Sequence, residues 1–162
     1  MLILMLESVV DQVIKKVEGA GGLYHRLVML VAPAGFGKTA ALQDVHARTS
    51  APLINVNLEL SQRMLDLTER QRALQLPRLL AEIAGASAAD VVLLDNIEVL
   101  FDVALKQDPL RLLQGLSRNK TVVAAWSGSI VGEHVIYATP DHPEYKRYPV
   151  KDLLVVNPEV MA

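Results

Sequence analysis

Residues 32–39 read Ala-Pro-Ala-Gly-Phe-Gly-Lys-Thr, a glycine-rich turn that ends on a lysine and a hydroxyl. Directly before it stands Leu27-Val28-Met29-Leu30-Val31, apolar without interruption and of strand length. Such a run marks a strand covered on both faces. After the turn the pattern predicts a helix over about 38–50. Strand, tight turn and helix in that order point to an α/β chain with a mostly parallel sheet.

Each position of the turn has a physical use. Gly35 and Gly37 permit backbone angles that other residues resist, so successive N–H groups can curl around an anion. The following helix points its positive end at the same place. Lys38 can then reach the β- and γ-phosphates of a nucleotide as a point charge, and the Thr39 hydroxyl can ligate magnesium. The pattern is a Walker A loop with Ala32 in place of the first glycine. Its nucleotide-binding residues are then Pro33, Ala34, Gly35, Phe36, Gly37, Lys38, Thr39 and Ala40. Glycine-rich turns between a strand and a helix are common; the Gly-Lys-Thr ending in this setting gives the motif its meaning.

The stretch Val91-Val92-Leu93-Leu94-Asp95-Asn96-Ile97-Glu98 carries the second motif. A buried strand delivers Asp95, which is expected to hold magnesium opposite Thr39. A helix cap or turn aspartate is the plainer alternative. In many nucleotide hydrolases a glutamate that activates water comes next, and here the residue is Asn96. Asparagine can orient water but cannot act as a base near neutral pH. Glu98 could substitute if the chain curls back after Asp95, or it could simply sit in the first turn of a helix. Thr121 to Trp126 form another predicted strand, and Ser127 at its end is the candidate contact for the γ-phosphate or the attacking water. A plain turn serine fits the same residue. Lys38, Asp95, Asn96, Glu98 and Ser127 are therefore the candidate catalytic set, with Thr39 and Asp95 as metal ligands. Arg118 and Lys120 precede their strand and fall at its opposite end. Arg111, Arg118 and Arg147 are candidates for a charge supplied to a neighbouring subunit.

The rest of the chain fills out the same architecture. Ile3, Leu6, Val10, Val13, Ile14 and Val17 recur at helical spacing and predict an N-terminal helix over 2–18. Strands are expected at 53–58 and 135–138. A helix is expected over 60–84, interrupted or kinked at Pro77. Asp108-Pro109 forms a helix start. The sequence thus predicts one P-loop domain over 1–162, with a nucleotide-binding core at 26–139. Its sheet has five strands, with helices on both faces. Residues 140–162, with Pro140, Pro143, Pro149 and Pro158, read as an extended arm able to pack on a neighbour.

Composition removes several other classes. No segment approaches the ~20 apolar residues a membrane span needs. With no cysteine there is no disulfide framework, which fits a cytoplasmic location. His25, His46, His134 and His142 lack metal-ligand spacing. A net charge of −2 gives DNA binding no support. Tyr145-Lys146-Arg147-Tyr148 has the composition of a nucleic-acid contact, or equally of a solvated surface.

The Walker pair and the strand pattern resemble the additional-strand P-loop ATPases, the group that includes the AAA+ and STAND families. After the strand at 135–138 only about two dozen residues remain, too few for a helical lid domain. More narrowly, APAGFGKTA, VNLELS, LLDNIEVLFD, residues 105–128 and YATPDHPEYKRYP are similar to the BrxF family, P-loop proteins of type 3 BREX (bacteriophage exclusion) defence systems. That resemblance implies a bacterial cytoplasmic protein acting with other BREX proteins. The functional expectation is an ATP- and Mg2+-binding chain that hydrolyses slowly or when stimulated, as a homo-oligomer. A small-molecule kinase and a non-catalytic nucleotide-binding scaffold are the alternatives.

Overall fold

The computed structural model describes residues 2–158, and within the first helix the side chains from residue 8 onward. The Ile3 and Leu6 side chains of the predicted apolar stripe lie outside that set. The elements run α1 (Leu2–Gly19), β1 (Leu27–Ala32), α2 (Lys38–Thr49), β2 (Leu53–Asn55), α3 (Val56–Met64), α4 (Glu69–Ala84) and β3 (Val91–Asp95). Two 3-10 helices, Ile97–Phe101 and Val103–Leu105, precede α5 (Pro109–Leu116) and β4 (Thr121–Ser127). Then come β5 (Ser129–Val131), β6 (His134–Tyr137), β7 (Lys146–Pro149) and β8 (Leu154–Val156).

Five strands form a sheet in the order β2-β3-β4-β1-β8, and every pairing in it is parallel. β1 lies inside it with all six residues buried, which is why its sequence is apolar without alternation. The strand sends Val28 and Leu30 to one face, where Val10 and Val13 of α1 and Leu42 and Val45 of α2 cover them. Met29 and Val31 go to the other face, against Leu60 of α3, Leu76 and Leu80 of α4, Leu113 of α5 and Leu100. The α/β design with five strands and helices on both faces is thus as expected. β4 stands between the strand that leads into the glycine turn and the strand that delivers Asp95.

Four expectations change in detail. The fifth strand of the parallel sheet is β8, at the edge beside β1, whereas the segment at 135–138 becomes β6 of a separate antiparallel sheet ordered β5-β6-β7. The strand expected over 53–58 stops at Asn55, whose side chain accepts a hydrogen bond from the Leu58 amide and caps α3. The alternation Ile54, Val56, Leu58 imitated a strand, but Leu58 faces solvent at 51% exposure. The helix over 60–84 is broken at residues 65–68, not at Pro77. A capping box, with Thr68 and Gln71 bonding reciprocally, restarts the chain as α4. Pro77 sits inside α4, where the buried Leu76, Leu79 and Leu80 hold the helix through it. Finally, the segment after residue 140 supplies β7 and β8 to its own chain's sheets. Among the described residues no helix is long and apolar enough to cross a membrane.

Candidate functional site

Parallel pairing places the ends of β1, β3 and β4 side by side, with Ala32 opposite Ser127 and Leu94 opposite Ala124. The glycine turn, Asp95 and Ser127 therefore gather at the carboxyl edge of the sheet, where ligands of such sheets sit. Gly35 and Gly37 both adopt left-handed backbone angles, φ 82° and 97°. Space was not the reason for glycine there, since an added Cβ would meet nothing within 4 Å. The conformation is the reason. Gly37 stands at the N-cap of α2 with no side chain to satisfy the first amides, and residues 33–37 are exposed. The loop is therefore exposed to solvent, with the uncapped N-terminus of α2 behind it, while the Phe36 amide donates to the Pro33 carbonyl.

Lys38 is only 9% exposed. Its Nζ donates to the carbonyl oxygens of Ala32 and Pro33, at 2.9 Å each, which folds the ammonium back under the loop. Burial pushes its pKa down, while the carboxylates of Glu98 and then Asp95 oppose that shift. Asp95, 7% exposed, accepts from the Thr39 hydroxyl on Oδ2 at 2.7 Å and from the Asn96 amide on Oδ1 at 2.9 Å. The structure thus joins the two predicted metal ligands directly. Among the described residues no three His, Asp or Glu side chains cluster as a metal cage. One hydroxyl and one carboxylate nonetheless form a hard oxygen donor set of the kind magnesium takes while keeping several waters.

Asn96 occupies a left-handed conformation, φ 53° and ψ 52°, and makes no side-chain cap to the helix after it. Its carbonyl accepts from the Asn57 amide at 3.1 Å. Past this bend, Glu98 stands in the first turn of the Ile97–Phe101 helix and also faces back to the site. Its Oε1 accepts from the Ser127 hydroxyl at 2.7 Å. Glu98 thus sits in the first turn of a helix, as the plainer expectation had it, while the chain also curls back to bring its carboxylate to Ser127. Pro33, Ala34, Phe36 and Ala40 lie on the loop and the first turn of α2 as expected, Phe36 at 37% exposure.

The other candidates stand apart. Lys120, just ahead of β4, donates to the carbonyls of Ala84 and Ser87, and the Arg118 guanidinium lies 4.9 Å from the Tyr24 ring centroid. Arg111 lies 3.9 Å from Asp108, and Arg147 approaches His134 Nδ1 at 3.2 Å. Tyr148 points inward: its hydroxyl donates to Asp108 and its ring packs edge-on to Trp126, 5.9 Å between centroids. It therefore offers no stacking platform to a nucleic acid.

Three features had escaped sequence reasoning. They are the folding back of Lys38, the Ser127–Glu98 bond and the Gly128 amide donating to Ala32 O, the carbonyl that also holds Lys38. The bend at Asn96 had a weak signal, because asparagine tolerates left-handed angles better than most residues.

No known protein family matches the sequence, and no curated protein matches it. Among solved structures, one titled as that of C. elegans PCH-2 is similar at a TM-score of 0.40 and 16% identity. The match covers 94% of this chain and 40% of the other, so this chain spans less than half of that structure's length.

Proposed function

We propose that the chain binds a magnesium nucleoside triphosphate, ATP by the likeness of its Walker motifs, and hydrolyses it slowly as an ATPase or nucleotide switch. The observation that carries this is the convergence of three groups at one sheet edge. They are the left-handed Gly35–Gly37 loop, the Lys38 ammonium beneath it and the Thr39–Asp95 pair at 2.7 Å. Loop amides and the α2 terminus cradle phosphate oxygens. Lys38 exchanges the Ala32 and Pro33 carbonyls for the β- and γ-phosphates, an exchange of neutral acceptors for charged ones. Thr39 and Asp95 hold the metal. When bound there, magnesium supplies neutralisation of the charge on the β- and γ-oxygens.

Asn96 cannot itself take a proton from water, help that is typically worth ~10²–10⁴ in rate, so turnover is slow unless another group of the site supplies it. The likeness of residues 105–128 and the tail to BrxF proteins supports a bacterial cytoplasmic role beside other BREX components, with self-association as part of the same proposal.

A thermal shift with magnesium and ATP tests binding. Ligand at about 100 times its dissociation constant should add about 2.7 kcal/mol. Lys38→Ala should abolish that gain while the ligand-free melting temperature stays near the wild type's. Wild-type protein that melts unchanged with every adenine and guanine triphosphate would refute the proposal.

A further inference from the structure

We infer that Glu98 is the carboxylate that accepts the proton of the attacking water in this site, and that Ser127 is the positioning residue that aims it. The inference rests on the nucleotide reading above and names the residue that does the work Asn96 cannot.

Three stretches of chain converge on this carboxylate. The left-handed Asn96 turns the backbone sharply at the end of β3, and the Asn57 amide pins the bend through the Asn96 carbonyl. Ile97, Leu100 and Phe101 then go into the core, leaving Glu98 half-buried at the sheet edge. β4 brings Ser127 to it from the neighbouring strand, hydroxyl to Oε1 at 2.7 Å. β1 brings the lysine: Ser127 is registered opposite Ala32, whose carbonyl holds the Lys38 ammonium. Of the two carboxylates that act on Lys38, Glu98 has the larger effect, ahead of Asp95. A glutamate serving only the dipole of a five-residue helix would not need the serine.

The division of labour is chemical. Asp95 uses one oxygen for Thr39 and the other for the Asn96 amide, so it is committed to ligand geometry. Glu98 gives Oε1 to a single neutral donor, and a carboxylate has further acceptor sites for water on its other oxygen. In the step itself the water oxygen bonds to the γ-phosphorus while its proton passes to Glu98. The bond from that phosphorus to the β–γ bridging oxygen breaks, and the electron pair leaves with the nucleoside diphosphate. Products are the diphosphate and inorganic phosphate.

Glu98→Gln keeps the size and the acceptor for Ser127 while removing the base. It should turn over at least about 100-fold more slowly, the low end of general-base help. Its thermal shift with magnesium and ATP should match the wild type's. After single-turnover incubation it should retain ATP where the wild type retains ADP. Ser127→Ala should lower kcat at unchanged KM, because the hydroxyl that aims the carboxylate is lost. Ser127→Thr should restore kcat. Wild-type turnover in Glu98→Gln overturns the inference, and so does a wild type that itself retains unhydrolysed ATP. An unchanged kcat in Ser127→Ala, or a loss that Ser127→Thr does not restore, removes the role of the serine. Absence of any thermal shift in the wild type is a separate outcome, and it refutes the nucleotide reading.

Discussion

Tyr137 shows how far a single side chain reaches in this protein. Its ring stacks on Phe101 with centroids 3.6 Å apart, and Phe101 belongs to the short helix that carries Glu98. Burial, then the carboxylates of Glu144 and Glu98, push its hydroxyl up from the ordinary 10.0 to about 12. The sign follows from which form the fold prefers. The neutral phenol is favoured, so its contribution to stability is complete below the ordinary value and is lost as pH climbs through that of the fold. The melting temperature should therefore fall as pH rises from 10 towards 12, and Tyr137→Phe should lessen the fall. Phenolate absorbance measured alongside should lose the component that titrates near pH 12 in that variant. At this scale the sequence was readable where chemistry is local. The pair of glycines, Lys38, Thr39 and Asp95 each follow from a neighbouring strand and the anion they suit. The Ser127–Glu98 bond could not be read, because it depends on one backbone angle at Asn96 and on β4 standing beside β3.

Elements were legible in proportion to how much of their reason is local. β1, β3 and β4 are largely apolar runs covered on both faces, and their extents follow from hydropathy to within a residue, each running one further, to Ala32, Asp95 and Ser127. α5 begins where Asp108 and Pro109 say it should, with the aspartate accepting from the Arg111 amide. The region between β2 and β3 misled because two local signals competed. Alternating apolar residues argued for a strand past Asn55, and a proline argued for a break at residue 77. Tertiary burial of Leu60, Leu76 and Leu80 outweighed both. What decides the boundary instead is capping, by Asn55 at α3 and by Thr68 at α4. Thr68→Ala should thus cost about 1 kcal/mol, the usual value of a lost N-cap. For a chain of this size that is a fall of about 2–4 °C in melting temperature. Thr68→Ser should cost much less, since the hydroxyl that accepts from Gln71 is kept. Equal melting temperatures for the alanine and serine variants would show that packing, not the cap, sets the start of α4.

On the scale of the whole molecule the two sheets are one mechanical object, because they meet at the residues that end β4. Trp126 is fully buried, donates from Nε1 to the Ile136 carbonyl at 3.2 Å, and packs against the rings of Phe101, Tyr137 and Tyr148. Tyr148 in turn bonds Asp108 at the start of α5. The antiparallel sheet is therefore fastened to β4, to α5 and to the helix that holds Glu98. Ser127 is caught in the seam, between the tryptophan and a glycine that the seam requires. A Cβ built on Gly128 would stand 1.9 Å from the Ile136 carbonyl oxygen and 2.9 Å from Trp126 Nε1, and the Ile136 backbone cannot swing aside as a side chain could. Gly128→Ala must then pry β6 from β4, the kind of overpacking that costs about 1–3 kcal/mol. Each kcal/mol should appear as about 2–4 °C in melting temperature. The chain has a single tryptophan, so its emission reports this seam alone. Emission from Gly128→Ala should shift to the red as water reaches Trp126, and magnesium–ATP turnover should fall with it, because Ser127 moves with the strand. A variant with unchanged emission, melting temperature and turnover would mean that the seam is loose and that the second sheet does not hold the serine in place.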